Sequence, residues 1–317
     1  MKKKKQLNGR PIIFGEVLFD HFPDGGAVLG GAPFNVAWHL QGFGQAPLLV
    51  SRIGDDTPGH QVKQAMQDWG LDTRAIQTDT QYPTGKVEIT FEGAQHSFHI
   101  LPDQAYDHID AGLTRKALAS IDPALFYHGT LIIRTETVRR VLDDLLVATH
   151  SPVFVDINLR DPWWHGNDLP FLLQRARWVK LNDEELNWVA KHLGLRTDNI
   201  ETTAQSIHAH YQLQTLVVTL GAHGALAVDP SRELVRVEPG NNVEIIDTVG
   251  AGDAFASVVL LGLLEGWTIP LTLARAQDFA TRICAQRGAT TADANLYRQL
   301  LNKWTQENRS APHRDRN

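Results

Sequence analysis

The run Asp247-Thr248-Val249-Gly250-Ala251-Gly252-Asp253-Ala254-Phe255 leads a turn of small residues into an apolar stretch, with an acid at the junction. Gly250, Ala251 and Gly252 let backbone approach a ligand closely. The N–H groups of a helix's first turn lack intrahelical acceptors, so such a junction suits an anion. A carboxylate at Asp253 would oppose a bound phosphate, so its useful chemistry is to take the proton from an attacking hydroxyl. That combination is the chemistry of phosphoryl transfer. As a plain first-turn acid, Asp253 would instead stabilise the helix dipole by about 0.3–1 kcal/mol. Residues Ala254 to Leu264 are almost wholly apolar, which predicts a buried helix that holds the loop rigid.

Other polar groups fall where strands end. In Asp156-Ile157-Asn158-Leu159-Arg160 a buried strand emits three polar side chains, and strand alternation would send Asp156, Asn158 and Arg160 the same way. Asn182 and Glu185, three apart across a helix start, could face a phosphate-bound magnesium through water or form a capping box. Gly30-Gly31-Ala32-Pro33-Phe34-Asn35 puts two glycines before a helix, with Asn35 in its first turn, as a cap or pointing its amide at a ligand. Asp20 closes the first predicted strand, as a sugar contact or a turn residue. Thr219-Leu220-Gly221-Ala222-His223-Gly224 links two strands. The fourteen histidines show no zinc spacing, and no Gly-x-Ser-x-Gly nucleophile elbow occurs.

The elements that must position these groups alternate, strand with helix. Predicted strands are Ile12–Phe19, Leu48–Ile53, Leu125–Tyr127, Val153–Ile157, Trp178–Leu181 and Leu216–Thr219. Helices are predicted at about Phe34–Gln41 and His60–Trp69. This is the signature of an α/β fold with a mainly parallel sheet covered on both faces. Lys86–Phe91 and Ser97–Leu101, joined by Glu92–His96, break the rhythm as a β-hairpin. It would serve as a lid, an oligomer contact or an edge meander.

The 317 residues carry a net charge of −6, 43% hydrophobic side chains and one cysteine, Cys284. Those values fit a globular chain without internal disulfide and point to the cytoplasm. No stretch reaches the eighteen apolar residues of a membrane span, and the net acidity argues against nucleic acid. Residues 1–10, with four lysines, and 306–317 read as flexible ends around one domain at 11–305.

Together the motifs resemble the ribokinase (PfkB) family of sugar kinases, from about Ile12 to Ala289. Gly30–Ala37, with Gly44 and Gly54, is similar to the family's amino-terminal signature, and Asp247–Asp253 to its carboxy-terminal one. The phrases Gly15–Asp20, Gly30–Asn35 and Asp156-x-Asn158-Leu159-Arg160-x-Pro162 look most like fructokinases. The resemblance implies a three-layer α/β/α sandwich with a small β lid, and transfer of the ATP γ-phosphate, with magnesium, to a primary hydroxyl of fructose. It implies Asp253 as base; Gly250, Ala251 and Gly252 with Asp253 N–H as anion hole; and Asp20, Gly31, Asn35 and Arg160 as sugar contacts. Asn182 and Glu185 would organise magnesium and phosphate, and Thr219, Gly221 and Gly224 the nucleotide. Gln277 stands where an asparagine often lines the adenine pocket. Members often bind a monovalent cation, and Asp247 with carbonyls near Val249 and Gly288 stands at similar positions, making potassium a candidate. A homodimer through the lid is compatible. Other acceptors open to the same chemistry are a 2-keto-3-deoxy sugar acid, ribose or a nucleoside. A non-catalytic sugar- or nucleotide-binding regulator is the reading from another class.

Overall fold

The computed structural model describes residues 7–92, 95–195, 198–239 and 243–310. The lysine-rich start at 1–6, the hairpin tip at 93–94 and the last residues, 311–317, lie outside them. In chain order the strands are β1 (Arg10–Phe14), β2 (Leu18–His21), β3 (Ala27–Gly30), β4 (Leu48–Gly54), β5 (Ile76–Asp79), β6 (Gly85–Glu92), β7 (Gln95–Ile100), β8 (Pro123–His128), β9 (Val153–Asp156), β10 (Ala176–Asn182), β11 (Thr215–Thr219), β12 (Ala225–Val228) and β13 (Leu234–Val237). The helices are α1 (Ala32–Gly42), α2 (Thr57–Asp68), α3 (Ala111–Leu118), α4 (Glu136–Thr149), α5 (Leu169–Arg175), α6 (Asp183–His192), α7 (Ile200–His210), α8 (Ala251–Leu264), α9 (Ile269–Cys284) and α10 (Ala294–Ser310).

Nine strands form the central sheet in the order β13-β12-β11-β10-β9-β8-β1-β4-β5. The pairs from β11 to β5 are parallel, while β12 and β13 run antiparallel at one edge. Alternation along each strand feeds the two faces of the sheet. Ile13 and Val217 join the core under α1, α8, α9 and α10; Ile12 and Phe14 face α4, and Leu216 and Val218 face α6 and α7. Every residue named in that alternation is at most 2% exposed, as a sheet covered on both sides requires. Among the described residues no helix is long and apolar enough to cross a membrane.

The sequence suggested one first strand over Ile12–Phe19, but two form. The break falls at Gly15, where the chain passes α1 so closely that a Cβ would lie 2.1 Å from Pro33 Cγ. It then enters a second sheet, ordered β3-β2-β6-β7. Asp20 therefore belongs to this small sheet rather than to the end of a central strand. The expected hairpin exists as β6 and β7, but β6 also pairs in parallel with β2, making it half of a four-stranded unit. At the two ends, Arg10 is structured and pairs with Asp72 at 2.8 Å. α10 also continues through residues 306–310, where the sequence suggested a flexible tail.

Arg134 fixes the root of the small sheet. Its guanidinium holds Asp107 through Nε (2.7 Å) and Nη2 (2.5 Å), donates to Leu101 O just after β7 (2.8 Å), and lies 4.4 Å from the centre of the Trp163 ring. Both partners of the ion pair are 2% exposed. Breaking such a pair from one side leaves a buried charge, which typically costs about 3–5 kcal/mol. Arg134→Met is therefore expected to lower unfolding stability by about that amount in urea titrations, with Arg134→Met/Asp107→Leu recovering part of it. A loss below about 1 kcal/mol in the single variant would remove Arg134 as the anchor.

Candidate active site

A cleft of about 950 Å³ runs across the carboxyl ends of β9, β10 and β11, beneath the small sheet. Open parallel sheets place ligands there because helix N-termini and strand-end loops converge at that edge. Register does part of the positioning. Asn182 pairs with Thr219, and Lys180 with Asp156, so groups from neighbouring strands arrive side by side.

Two glycines in left-handed conformations start the helices that meet at the cleft. Gly31 (φ 106°) precedes α1 and Gly250 (φ 78°) precedes α8. A Cβ on Gly250 would lie 2.3 Å from Ala289 Cβ, so only glycine fits that turn. The N–H groups of Ala251, Gly252 and Asp253 have no acceptor within α8, and that of Ala251 donates to Thr248 O at 3.2 Å instead. Ala289 O accepts from the neutral His39 ring at 3.0 Å, and the other ring nitrogen meets Tyr297 Oη at 2.8 Å. Burial pushes the pKa of His39 down to about 4.

Asp253 lies in the first turn of α8 and lines the cleft. Asn35 Nδ2, from α1, donates to Asp253 Oδ2 at 2.8 Å. Burial pushes the Asp253 carboxyl up to about 6, and the Asp156 charge adds to the rise. The Asn35 hydrogen bond, Lys180 and Arg160 oppose it. Asp20, Gly31 and Arg160 line the cleft with Asn35 at one end. Burial, opposed by Arg160, pushes Asp20 to about 6. Thr219, Gly221, Gly224 and Gln277 line the other end.

Asn182 and Glu185 line the cleft between these ends and form the capping box of α6. Asn182 Oδ1 accepts from Glu185 N (2.8 Å) and Glu185 Oε2 from Asn182 N (2.9 Å). Glu185 Oε1 accepts from Leu159 N at 2.8 Å. Each carboxylate oxygen thus accepts one backbone hydrogen bond. Among the described residues no group of three or more His, Cys, Asp or Glu side chains is arranged to hold a metal ion.

One expectation changes. Asp156 does not follow Asn158 and Arg160 into the cleft; it turns to Lys180 Nζ (2.8 and 3.1 Å) and accepts from Tyr127 Oη (3.2 Å). The alternation ends because β9 stops at Asp156 and Asn158 takes a left-handed φ of 38°. Of Asp247, Val249 and Gly288, only Val249 lines the cleft. Asp247 spends its two oxygens on Val249 N and Gly288 N, each at 3.0 Å, and so ties the turn before α8 to the chain after α9.

A family model described as pfkB family carbohydrate kinase matches residues 15–295. The chain belongs to the PfkB family of carbohydrate kinases. A fructokinase of Klebsiella pneumoniae is 28% identical over 299 residues, covering 90% of this chain and 94% of that protein. A Vibrio cholerae fructokinase solved with fructose, ADP and calcium superposes with a TM-score of 0.74 at 26% identity, covering 92% of this chain and 98% of the other. A Xylella fastidiosa fructokinase with bound ATP reaches 0.82 at 22% identity, covering 93% and 99%, which establishes the shared fold.

Two cleft residues of this PfkB kinase escape sequence reasoning. Lys180 is 6% exposed on β10; a Cβ on Gly252 would lie 3.5 Å from its Nζ. Burial disfavours its charge, but Asp156, Glu185 and Asp253 together outweigh burial and raise its pKa. A lysine inside a buried strand, two residues before Asn182 and so on the same face, was the available signal. Glu16 is 4% exposed in the link between β1 and β2. Burial pushes it up to about 7, and Asp253 adds to the rise. Its signal was an acid inside the apolar run Ile12–Phe19.

Glu16, Asp20 and Asp253 therefore bind protons more tightly in the folded kinase than in the unfolded chain, where values near 3.8 to 4.5 apply. The stability they contribute is complete below about pH 4 and is lost as pH rises through 6 to 7. Urea midpoints of the ligand-free kinase should fall more steeply between pH 5 and pH 7.5 than those of Glu16→Gln/Asp20→Asn/Asp253→Asn. Parallel profiles would show that these carboxyls are not held in their neutral forms.

Proposed function

We propose that this sugar kinase transfers the γ-phosphate of ATP to the primary hydroxyl on C6 of D-fructose, giving fructose 6-phosphate, with Asp253 as general base. The observation that carries the reading is the Asn35–Asp253 hydrogen bond: it holds a buried carboxylate beside the donor N–H groups that open α8. With a pKa of about 6, Asp253 is mostly ionised near neutrality yet basic enough to share a proton in the transition state. Because Oδ2 is bound by Asn35, Oδ1 is the oxygen available to the acceptor hydroxyl. The proton passes from that hydroxyl to Asp253 as its oxygen bonds phosphorus and the bond from phosphorus to the β-phosphate oxygen breaks.

The γ-phosphate lies against the Gly252 and Asp253 N–H groups, with the Ala251 N–H turning from Thr248 O to join them. The Lys180 ammonium beneath Gly252 neutralises its charge. Asp20, Gly31, Asn35 and Arg160 hold the sugar, and Thr219, Gly221, Gly224 and Gln277 the nucleotide. A magnesium ion carried by the phosphates would screen their charge, with Glu185 positioning its water. Potassium belongs to the same proposal; with the Asp247 oxygens engaged, backbone carbonyls near Val249 and Gly288 would supply its ligands. The fructose acceptor rests on the fructokinases among the relatives, including the Vibrio cholerae enzyme solved with fructose.

Asp253→Asn should keep sugar and ATP binding by calorimetry while kcat falls by at least about a hundredfold, the scale of a positioned base. Near-normal turnover would refute the base. In a coupled ADP-release assay, kcat/KM for fructose should exceed that for ribose, adenosine and 2-keto-3-deoxygluconate. A tenfold preference for any of those three would replace fructose as the acceptor.

A further inference from the structure

Among the described residues, two buried oxygens at the sugar end of the cleft have no hydrogen-bond partner: Oε2 of Glu16 and Oδ1 of Asn35. Asn35 is explained by its bond to Asp253. Glu16 is not. Its interactions are with its own backbone N–H and, through space, with Asp253, Arg160 and Arg134. Leaving a buried polar atom unpaired costs on the order of 1–3 kcal/mol, and Glu16 returns no structural bond for it. An acid kept in such a place finds its partner in a ligand.

The charges around it say which kind of ligand. Lys180 is committed to Asp156, and Arg134 to Asp107. At this end of the cleft the carboxyls of Glu16, Asp20 and Asp253 thus face Arg160, with Lys180 shared between Asp156 and Asp253. A carboxylate on the acceptor would enter a site that holds more acid than base. Hydroxyls carry no charge and both donate and accept, so they can satisfy Glu16 Oε2 and Asn35 Oδ1 together.

We infer that Glu16 is a hydroxyl-binding, specificity-determining residue that makes the acceptor site select an uncharged polyol over a sugar acid. This rests on assigning that end of the cleft to the sugar. Removing its carboxyl should weaken polyol binding and relieve the repulsion of an acidic acceptor, while the nucleotide end is untouched.

The test measures kcat and KM for fructose, ribose and 2-keto-3-deoxygluconate, and KM for ATP, in the wild-type kinase, Glu16→Gln and Glu16→Ala. In Glu16→Ala the fructose KM should rise at least about tenfold, with the ATP KM within about twofold. The kcat/KM ratio of sugar acid to fructose should rise at least about tenfold, and Glu16→Gln should lie between, since its amide still bonds hydroxyls. Unchanged sugar KM and unchanged ratio in both folded variants would overturn the assignment. A wild-type preference for the sugar acid would overturn the selectivity while leaving kinase action intact. If the wild type phosphorylates none of the three, the fructose reading fails by itself. Calorimetric binding of fructose and of the sugar acid to wild type and Glu16→Gln then decides: binding of fructose that weakens in the variant sustains Glu16, and equal binding removes it.

Discussion

One contact, Asn35 Nδ2 to Asp253 Oδ2, joins side chains 218 positions apart in sequence, and the geometry of the site depends on it. It can form only if α1 and α8 pack together beneath the same face of the sheet, and both begin at glycines whose backbones accept left-handed angles. A buried carboxyl so close to another acid, Asp156, and to Glu16 would drift toward its neutral form without some group favouring the charge. The amide supplies that preference without adding a further charge.

Much of the surrounding electrostatics follows from the same constraint. Three carboxyls share one end of the cleft, and two nearby basic groups, Lys180 in the cleft wall and Arg134 behind it, are each ion-paired to an acid. The central sheet provides the Lys180 match directly, because Lys180 and Asp156 are register partners on adjacent parallel strands. Tyr127, on the next strand over, closes the arrangement through its hydroxyl. Polar groups that would be costly singly are tolerable as a connected set.

What could be read from the chain was local. The turn Gly250–Gly252 with Asp253, the alternation that makes a parallel sheet, and the capping pair Asn182 and Glu185 are patterns within a dozen residues, and short-range sterics and hydrogen bonding decide them. Long-range pairing was not legible. Nothing in the run Ile12–Phe19 marks a change of sheet at Gly15, and the neighbour that requires glycine there, Pro33, lies on a different element. Asp156 was assigned to the wrong side because alternation assumes extended backbone, and Asn158 leaves it. Glu16 and Lys180 were hidden by the apolar residues around them. Their environment comes from other strands, whose identity a single sequence does not disclose.

The His39 ring has a consequence that reaches the far end of the chain. Ala289 presses on Gly250, His39 grips Ala289, and Tyr297 in the final helix completes the line. With its basicity suppressed by burial, that imidazole acts as a rigid strut whose length does not vary with ordinary changes in acidity. α10 thereby serves as a keystone for the glycine turn at the mouth of α8: what holds the carboxy-terminal segment in place also sets the geometry of the first turn of α8.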